Sequence, residues 1–583
     1  MTQKDIDASP SKWYYSILTN DKGYRYIYAY QTKWDPVRKQ PRRSAKKYVG
    51  RLNDDDSVNI GATFRAAFPQ FAEGTFYYGA NKQLVDEATY RADFPEKPGP
   101  KPCDEDVELH SDLEFGLTWA AEQTAVRSGL LDSLTAAFGK DDARLLLNVA
   151  IYLLADAGSM DSYGIWRQGV YLSQGGVVDG RRISELFSRV RQDKIDKYFA
   201  HRHQVKLARN SAETGKVQLH YALDSTSIST YSRTIPLAAW GHAKRDPDLK
   251  QVNYVFVCDQ DDGEIAYAYA YDGSINDVSS LHYVIGRLTS ADFQTKDIVF
   301  VTDRGYSSIQ NVQKLLDQDL RFIQGVYLSE DALKRHFDRY AESLRDLRFF
   351  NTKLDVYART LEEPWTQSSK VGAFPTKIWL HLYRFPSVDE TSRVELARHA
   401  DRLIESKAKG IRIDDEDWRR YSRYIELIEP KQGKPFWQRN NDAIERSAKY
   451  AGAFVIRSNN EANPFAALSI YNLRNKVEFD FNQFKNWVEG DRMRCTETAY
   501  LGRTFVCTLA TCIRLIMMRK AQTNESKDLK IPGNSMDQLF RHLKHIRADR
   551  RPKASAWVVR QISKKQREML ALLGLDKLPK VFR

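Results

Sequence analysis

The chain has 583 residues and a mass of 67.3 kDa, which is too long for one hydrophobic core and indicates three to five domains of roughly 100 to 200 residues. It carries 89 Lys and Arg against 76 Asp and Glu, and the resulting net charge of +13 favours a polyanionic partner, nucleic acid first. Five cysteines without a CxxC pair argue against a disulfide framework or a zinc knuckle, and an N-terminus without an apolar segment leads us to expect a cytoplasmic protein with no membrane partner.

Residues 1–100 are predicted to form a β-rich basic N-terminal domain. The alternating segments WYYSI and YRYIYAYQ and the later segment YVGRL have the period of half-buried strands. The stretch KWDPVRKQPRRSAKKYVGR, which leads into the third strand, has eight basic residues against one Asp. We interpret it as a loop that holds both prolines, and we predict that Arg42 and Arg43 contact DNA phosphates. A solvated run of charges is the alternative.

Residues 101–216 are predicted to form a helical DNA-binding domain. A proline-rich joint, PEKPGPKPCDEDVE, marks its boundary near residue 100. The segments LLDSLTAAF, ARLLLNVAIYLL and RISELFSRVRQDKIDKYF then show the apolar spacing of helices.

From Gln218 the pattern changes to strands. QLHYALDSTS, QVNYVFVCDQ and EIAYAYAYD follow one another, and a DDG turn joins the last two as a hairpin. DVSSLHYVIGRL is a helix, KDIVFVTDRGY a buried strand, SIQNVQKLLDQ a helix and RFIQGVYL a strand. The order β-β-β-α-β-α-β predicts an α/β domain with a mixed sheet.

Two aspartates lie at predicted strand ends in this segment. Asp224 ends LHYALD and Asp303 ends IVFVTD. Functional side chains collect at strand ends in sheets of this kind, although an aspartate there also often caps the next turn.

A glutamate completes the set on the segment YNLRNKVEFDFNQFK, which we predict to be one helix. At about 100° per residue, Tyr471, Arg474, Glu478 and Lys485 share one face. An apolar stripe adjoins that face and is formed by Leu473, Val477, Phe481, Phe484 and Val488. Asp480 projects at about 180°, away from Glu478. Mixed charges on a solvated helix face are the alternative interpretation.

Three carboxylates on rigid elements are the ligands that two Mg²⁺ ions about 4 Å apart require. Such a site attracts a phosphodiester and stabilises the extra negative charge of its transition state. Arg474 lies one turn from Glu478 and is suited to bind a neighbouring phosphate. Tyr471 and Lys485 lie about 10 Å from it along a helix, too far to be ligands but suited to flanking phosphates.

The segment after Tyr500 contains an apolar run and a basic tail. TFVCTLATCIRLIMM is broken by Arg514, and we interpret it as a buried helix rather than a membrane span. In RHLKHIRADRRPKASAWVVR, basic residues recur at helical spacing, and Arg547 and Arg551 are predicted DNA contacts.

These motifs resemble those of bacterial DDE transposases of the insertion-sequence-four group. The helix fits Y-x2-R-x3-E-x6-K, the YREK signature of that group, and YALDSTS and VTDRGY resemble its two aspartate motifs. The loop GHAKRDPDLKQ, which contains Lys244, is also similar and makes Lys244 a predicted DNA contact. The resemblance implies an RNase H-like mixed-sheet catalytic domain interrupted by an insertion domain. The predicted domains from residue 217 onward are 217–330 (catalytic, first part), 331–463 (insertion), 464–500 (catalytic, second part) and 501–583 (helical basic C-terminal region).

The resemblance further implies roles for individual residues. Asp224, Asp303 and Glu478 would be catalytic and would bind two Mg²⁺ ions, for which Mn²⁺ would substitute. Tyr471, Arg474 and Lys485 would hold the transposon end. Some members of the group stack a flipped base on a tryptophan of the insertion, and the sequence leaves the choice open among Trp365, Trp379, Trp418 and Trp437.

The expected function is that of a transposase that cuts the terminal inverted repeats of its insertion sequence and joins their 3′-OH ends to target DNA. Several members of the group use a hairpin intermediate. Because two ends must be paired, we expect a homodimer on double-stranded DNA, in the bacterial cytoplasm at the nucleoid. Two alternatives stay open, namely a structure-specific Mg²⁺-dependent endonuclease of RNase H-like fold and a domesticated transposase derivative that only binds DNA.

Overall fold

The computed structural model describes residues 13–21, 23–94, 111–214, 218–241, 246, 248–291, 293, 295–329, 331–369, 372–488, 490, 492–493, 495–550 and 555–582. The chain divides into two compact units, Met1–Glu108 and Leu109–Arg583. Each unit has cores of its own.

The N-terminal unit is built on a six-stranded antiparallel sheet in the order β1-β2-β5-β6-β7-β8. The strands of this sheet are β1 Tyr14–Thr19, β2 Arg25–Tyr30, β5 Lys47–Leu52, β6 Ser57–Ile60, β7 Phe76–Tyr78 and β8 Leu84–Asp86. Strands β3 Thr32–Asp35 and β4 Gln40–Arg43 form a separate two-stranded sheet. Its helices are α1 Ala62–Ala67 and α2 Glu87–Asp93. Ile27, Ala29 and Val49 alternate onto one face and pack with Phe64 of α1. The predicted β-rich character is confirmed.

One detail of the basic stretch was predicted wrongly. It is not an open loop but a hairpin, in which β3 and β4 pair and Trp34 lies opposite Pro41. A proline without an N–H is tolerated there because the hairpin has only two strands, so both are edge strands.

The central sheet of the second unit begins with five strands in the order β12-β11-β10-β13-β14. Strand β9 (Ser111–Glu114) and the helices between Gly116 and Thr214 come before this sheet in the chain. The elements that follow are β10 Leu219–Thr230, β11 Lys250–Asp259, β12 Ile265–Asp272, α9 Asp277–Ser290, β13 Ile298–Thr302, α10 Ile309–Asp317 and β14 Arg321–Val326. The first three strands are antiparallel, and β13 and β14 are parallel to β10. The predicted order β-β-β-α-β-α-β is confirmed, and the domain is α/β with a mixed sheet.

The predicted insertion extends this same sheet. Strand β20 (Ala453–Ser458) pairs with β14 and with β17 (Gly372–Arg384), which pairs with β16 (Val356–Ser369) and through it with β15 (Phe350–Asn351). The other elements are α11 Asp331–Arg339, α12 Pro386–Ala408, α13 Asp415–Tyr421, β18 Ile425–Ile428, β19 Phe436–Arg439 and α14 Asn441–Ala448. Helices α12 and α14 share a small core with the β18–β19 hairpin.

Helices before the sheet pack around one later helix. They are α3 Gly116–Arg127, α4 Leu130–Phe138, α5 Lys140–Ala155, α6 Tyr163–Gln168, α7 Gly180–Ser188 and α8 Gln192–Thr214. The later helix is α17, Tyr500–Thr523, reached after α15 Pro464–Asn472, α16 Asn475–Asn482 and β21 Arg492–Met493. In the part of the chain that the structure describes, α17 is the one single helix long and apolar enough to span a membrane, besides the pair Lys140–Ala155 and Met160–Gln168, which is bent by 105°, and 89% of the apolar window of α17 is buried inside the protein. It is a buried helix, as predicted.

The C-terminal segment corrects another prediction. Helix α18 (Met536–Lys544) ends before Arg547, which lies in β22 (Arg547–Arg550). Strand β22 pairs with β9 and β23 (Trp557–Val559), and β24 (Val581–Phe582) and α19 (Lys564–Leu572) follow. The spacing of the basic residues predicted a helix here, but Ala548 between Arg547 and Asp549 is fully buried, and this alternation of buried and accessible positions favours a strand.

Candidate active site

The two aspartates lie side by side on adjacent strands. Leu223 of β10 pairs with Thr302 of β13 in parallel register, so Asp224 and Asp303 follow at the same level. Neighbouring strands are about 4.8 Å apart. Asp303 follows the last residue of β13, as predicted, but Asp224 is not at the end of its strand, because β10 continues to Thr230 against β11. Asp224 lies instead where the pairing of β10 with β13 ends.

The helix predicted across the YREK segment is broken. Helix α15 ends at Asn472, α16 runs from Asn475 to Asn482, and a π-helical turn follows over Gln483–Trp487. Arg474 N–H donates to the carbonyl of Tyr471 at 3.0 Å, three residues back, so the chain tightens at the junction. Leu473, predicted in the apolar stripe, is consequently 42% exposed, which corrects that prediction.

The break has a packing cause. Tyr471 of α15 packs in the core above β13 and β14, against Phe454 with ring centroids 5.1 Å apart. Phe481 of α16 stacks on Phe256 of β11 with centroids 4.4 Å apart and planes within 7°. The turn allows the two helices to follow different strands of a twisted sheet. The rest of the predicted stripe, Val477, Phe481, Phe484 and Val488, is buried, as predicted.

Arg474 stands among the three carboxylates. Its Nη1 lies 3.5 Å from Oε1 of Glu478 and 3.9 Å from Oδ2 of Asp303, and its side chain is only 10% exposed. Burial acts to lower the pKa of Arg474, but the neighbouring acidic groups, foremost Asp303, raise it above its usual value. Asp224 and Glu478 contribute to the same rise. Residues far apart in sequence therefore converge on one guanidinium.

Tyr471 forms a hydrogen bond with Asp303. Its hydroxyl donates to Oδ1 of Asp303 at 3.4 Å, and burial raises the pKa of Tyr471 to about 12, so the donor proton is retained. A Cβ on Gly325 of β14 would approach the Tyr471 hydroxyl to 2.6 Å, so only glycine leaves room for the ring. Tyr471 is 7% exposed.

Asp480 faces the opposite way, as predicted. It is 1% exposed, and its Oδ1 lies 3.8 Å from Nη2 of Arg519. Burial raises the pKa of Asp480 to about 7, although the charge of Arg519 acts to lower it. Asp480 therefore belongs to the interior and not to the cleft that contains Glu478.

This buried aspartate predicts a pH-dependent stability. Because its pKa is higher in the folded than in the unfolded chain, the folded state binds more protons between about pH 4 and 7, and stability falls as the pH rises through that window. In calorimetric scans, the melting temperature of the wild type should fall relative to that of Asp480→Asn between pH 4.5 and 7.5. The variant Asp442→Asn, at an exposed site of α14, is the control and should follow the wild type. Parallel profiles for Asp480→Asn and wild type would contradict the prediction.

A solvent-open cleft of about 450 Å³ adjoins Asp303 and Glu478. Asp303, Tyr471, Arg474 and Glu478 form one wall. Arg304 and residues of the insertion, Phe385, Val388 and Phe454, line the rest. Glu478 is 61% exposed at this surface. Sequence reasoning missed these other lining residues; for Arg304 the signal was its position directly after Asp303, whereas no local pattern marks Phe385 or Val388.

The donor chemistry suits Mg²⁺, because the three acidic side chains offer only hard carboxylate oxygens. Within the described residues, however, no three His, Cys, Asp or Glu groups are arranged closely enough to hold a metal ion. The positive charge at the centre of the cluster is instead that of Arg474. The residues therefore fit the metal in kind, and Arg474 lies between two of them.

The remaining predicted DNA contacts belong to both units of the chain. Arg42 and Arg43 lie exposed on β4. Arg547 pairs with Asp112 at 2.7 Å. Lys485 is half-buried in the π-helical turn. Lys244 and Arg551 lie outside the described residues.

The tryptophans of the insertion occupy different environments. Trp365 donates its indole N–H to Glu363 at 3.1 Å and packs under Arg457. Trp418 and Trp437 pack edge to face, 6.2 Å apart, in the small insertion core. Trp379 lies on β17. Base stacking by any of them stays a prediction.

Part of the chain matches a known family. Residues 215–501, just under half of the 583 residues, match the model described as "Transposase DDE domain". The matched segment contains Asp224, Asp303 and Glu478 together with the cleft, so the candidate site lies within the part of the chain that is similar to transposase DDE domains.

Two further comparisons add less. A comparison with curated proteins found no match. Among solved structures, the chain is similar to "Cryo-EM structure of piggyBac transposase synaptic complex with hairpin DNA", with 12% identity, coverage of 73% of this chain and 75% of that chain, and a TM-score of 0.32.

Proposed function

We propose, from the similarity of residues 215–501 to transposase DDE domains and from the geometry of the site, that this chain is a cut-and-paste DNA transposase. It would cleave the ends of its insertion sequence and join the 3′-OH ends to target DNA. One observation carries the proposal: Asp303 and Glu478, 175 positions apart, lie within 3.9 Å of the same guanidinium, and Asp224 lies on the strand next to Asp303. A domain that only bound DNA would gain nothing from acidic groups that repel phosphate.

The three carboxylates would hold two Mg²⁺ ions, and Mn²⁺ would substitute. Divalent ions in such a site activate the attacking oxygen and neutralise the charge that develops on the phosphate. Tyr471 would keep Asp303 oriented through its hydroxyl. Lys485 would bind a phosphate farther along the transposon end.

Arg474 would have two positions. Without DNA it neutralises Asp303 and Glu478, as the distances of 3.9 and 3.5 Å indicate. A phosphate of the transposon end carries one negative charge, as a carboxylate does, and it can accept two hydrogen bonds from the guanidinium group. Transfer of Arg474 to that phosphate would leave the carboxylates free for metal, so that cleavage competence would depend on bound DNA.

The reaction would take place in two steps. In the first, water attacks phosphorus at the element end and the P–O3′ bond breaks, which releases a 3′-OH. In the second, that 3′-OH attacks a phosphodiester of the target, so one ester bond forms as another breaks. Because both ends must be processed together, the active form would be a homodimer holding two terminal inverted repeats, at the nucleoid in the bacterial cytoplasm.

The decisive experiment uses a duplex copied from the DNA that borders the gene. Full-length protein is incubated with this duplex, a supercoiled target plasmid and Mg²⁺, and products are resolved on denaturing gels. Cleavage at the element end followed by joining to the plasmid is expected. Cleavage without joining would favour the structure-specific endonuclease. Binding without cleavage in Mg²⁺ or Mn²⁺ would favour the DNA-binding derivative.

Lys485 should contribute one phosphate contact. For Lys485→Ala, we expect weaker binding of the end duplex and a salt dependence whose slope in log K against log[salt] is smaller by about 0.9. Fluorescence anisotropy between 50 and 200 mM salt measures both the affinity and its salt dependence. Lys520→Ala, at an exposed site on the last turn of α17, is the control. A wild-type slope for Lys485→Ala would exclude the contact.

A further inference from the structure

The N-terminal sheet has two faces of different character. Along β2, Ile27 and Ala29 point into the core and are fully buried, so Tyr26, Tyr28 and Tyr30 alternate onto the other face. Its neighbours add Tyr14 from β1 and Tyr48 from β5. We call these five side chains, Tyr14, Tyr26, Tyr28, Tyr30 and Tyr48, the tyrosine face.

The register places the five rings in adjoining rows. Tyr14 lies opposite Tyr30, and their rings stack with centroids 5.8 Å apart. Tyr28 lies opposite Tyr48, with centroids 5.6 Å apart, and Tyr26 lies 6.2 Å from Tyr48. Successive tyrosines on β2 are about 7 Å apart along the strand, since each residue advances about 3.4 Å. The rings therefore form a continuous aromatic surface across three strands.

Arginines border this surface. The Arg43 guanidinium lies 5.1 Å from the ring centre of Tyr30, and that of Arg51 lies 4.2 Å from the ring centre of Tyr24. Arg51 pairs with Tyr26 across the strands, so it belongs to the same face. Cation–π contact holds both guanidinium groups beside the rings while their donors stay available to solvent.

The tyrosine face is exposed although the unit has a core of its own. Tyr14 is 53% and Tyr48 is 48% exposed and the central Tyr26, Tyr28 and Tyr30 are half-buried, whereas the opposite face packs on Phe64, Phe68 and Phe71. The surrounding strands, residues 13–60, have ten Lys and Arg against five Asp, a net charge of +5. An aromatic surface in so positive a setting complements a polyanion that presents flat rings.

We propose that the tyrosine face binds single-stranded DNA, with unpaired bases stacked on the tyrosines and phosphates held by Arg43 and Arg51. Aromatic platforms bordered by basic groups bind single strands in this way, and stacking tolerates any base sequence. A duplex keeps its base faces stacked inside the helix and would meet only the arginines. The site lies in the N-terminal unit and does not involve the carboxylates, so it goes beyond the transposase activity proposed above.

The test measures binding of a fluorescent oligothymidine of about 20 nucleotides to the full-length protein in EDTA, by anisotropy. For Tyr48→Leu and for Tyr28→Leu, affinity should fall roughly 5- to 100-fold, as expected for the loss of one base stack. Tyr48→Phe and Tyr28→Phe keep the ring and should bind like wild type. Duplex binding should change by less than twofold in all four variants.

Further variants and measurements separate the alternatives. Tyr283→Leu, at a 53% exposed site of α9, is the matched control and should bind like wild type. Arg51→Gln should reduce the salt slope for the single strand by about 0.7. Unchanged single-strand affinity in the leucine variants would overturn the proposal, and so would equal losses for duplex and single strand. If sedimentation showed that the leucine variants lose only self-association, the face would be an interface between copies of the chain.

Discussion

Replacing Glu478 with Gln should reduce cleavage of the element end by roughly 10³-fold or more and leave DNA binding within about twofold of wild type. The amide keeps the size of the side chain but removes a negative oxygen ligand, and metal stabilisation of the phosphate in the transition state amounts to several kcal/mol. Because Glu478 is 61% exposed, its replacement should not destabilise the fold. Asp224→Asn and Asp303→Asn should lose cleavage to a similar extent.

The matched control is Asp480→Asn, the same chemical change made two residues away on α16. Asp480 is 1% exposed and faces Arg519, so its replacement should alter stability but leave more than a third of the cleavage rate. Gel assays with Mg²⁺ and anisotropy with the same duplex separate catalysis from binding. Loss of cleavage in Asp480→Asn with retention in Glu478→Gln would exchange the two roles and refute the assignment.

The second large effect concerns Arg474 and has opposite signs in two assays. In Arg474→Gln without DNA, Mn²⁺ affinity should rise at least about tenfold, because a like charge close to the metal position is removed; two unit charges 4 Å apart repel by about 4 kcal/mol at an effective dielectric constant of 20. Cleavage should nevertheless fall about 10- to 100-fold, since a charge-assisted phosphate contact is lost. Calorimetric titration and the gel assay measure the two effects.

Arg304→Gln is the matched control, because Arg304 lines the same cleft but lies over the rings of Tyr327 and Phe454, 5.4 and 5.8 Å away. Its Mn²⁺ affinity should stay within about threefold of wild type. If Arg474→Gln bound Mn²⁺ no more tightly than wild type, Arg474 would not compete with the metal. If only Arg304→Gln bound Mn²⁺ more tightly than wild type, Arg304 and not Arg474 would be the residue that competes with the metal.

Local patterns in the sequence were sufficient to predict many of the strands and helices of the second unit. The strands around Asp224 and Asp303 have buried apolar runs bounded by turn residues, and these runs depend on neighbouring positions only. The stripe of Val477, Phe481 and Phe484 likewise identified the buried side of α16, and the same periodicity placed Asp480 away from Glu478.

Features that depend on distant contacts were predicted wrongly. The break at Leu473 arises because α15 and α16 pack on different strands of a twisted sheet, which no 3.6-residue period encodes. Strand β10 continues beyond Asp224 because β11 pairs along its whole length. Arg547 lies in a strand and not in the predicted helix, because β22 pairs with β9, more than 400 residues earlier in the chain.

The sequence by itself determined the order of elements in the central sheet, the three acidic residues and the basic stretch of residues 33–51, since each depends on residue type and short-range spacing. Only the tertiary structure decided that Arg474 stands between Asp303 and Glu478, that the insertion continues the sheet and lines the cleft, and that five tyrosines form one exposed face. These features depend on strand register, sheet twist and helix junctions, which are set by contacts between segments far apart along the chain.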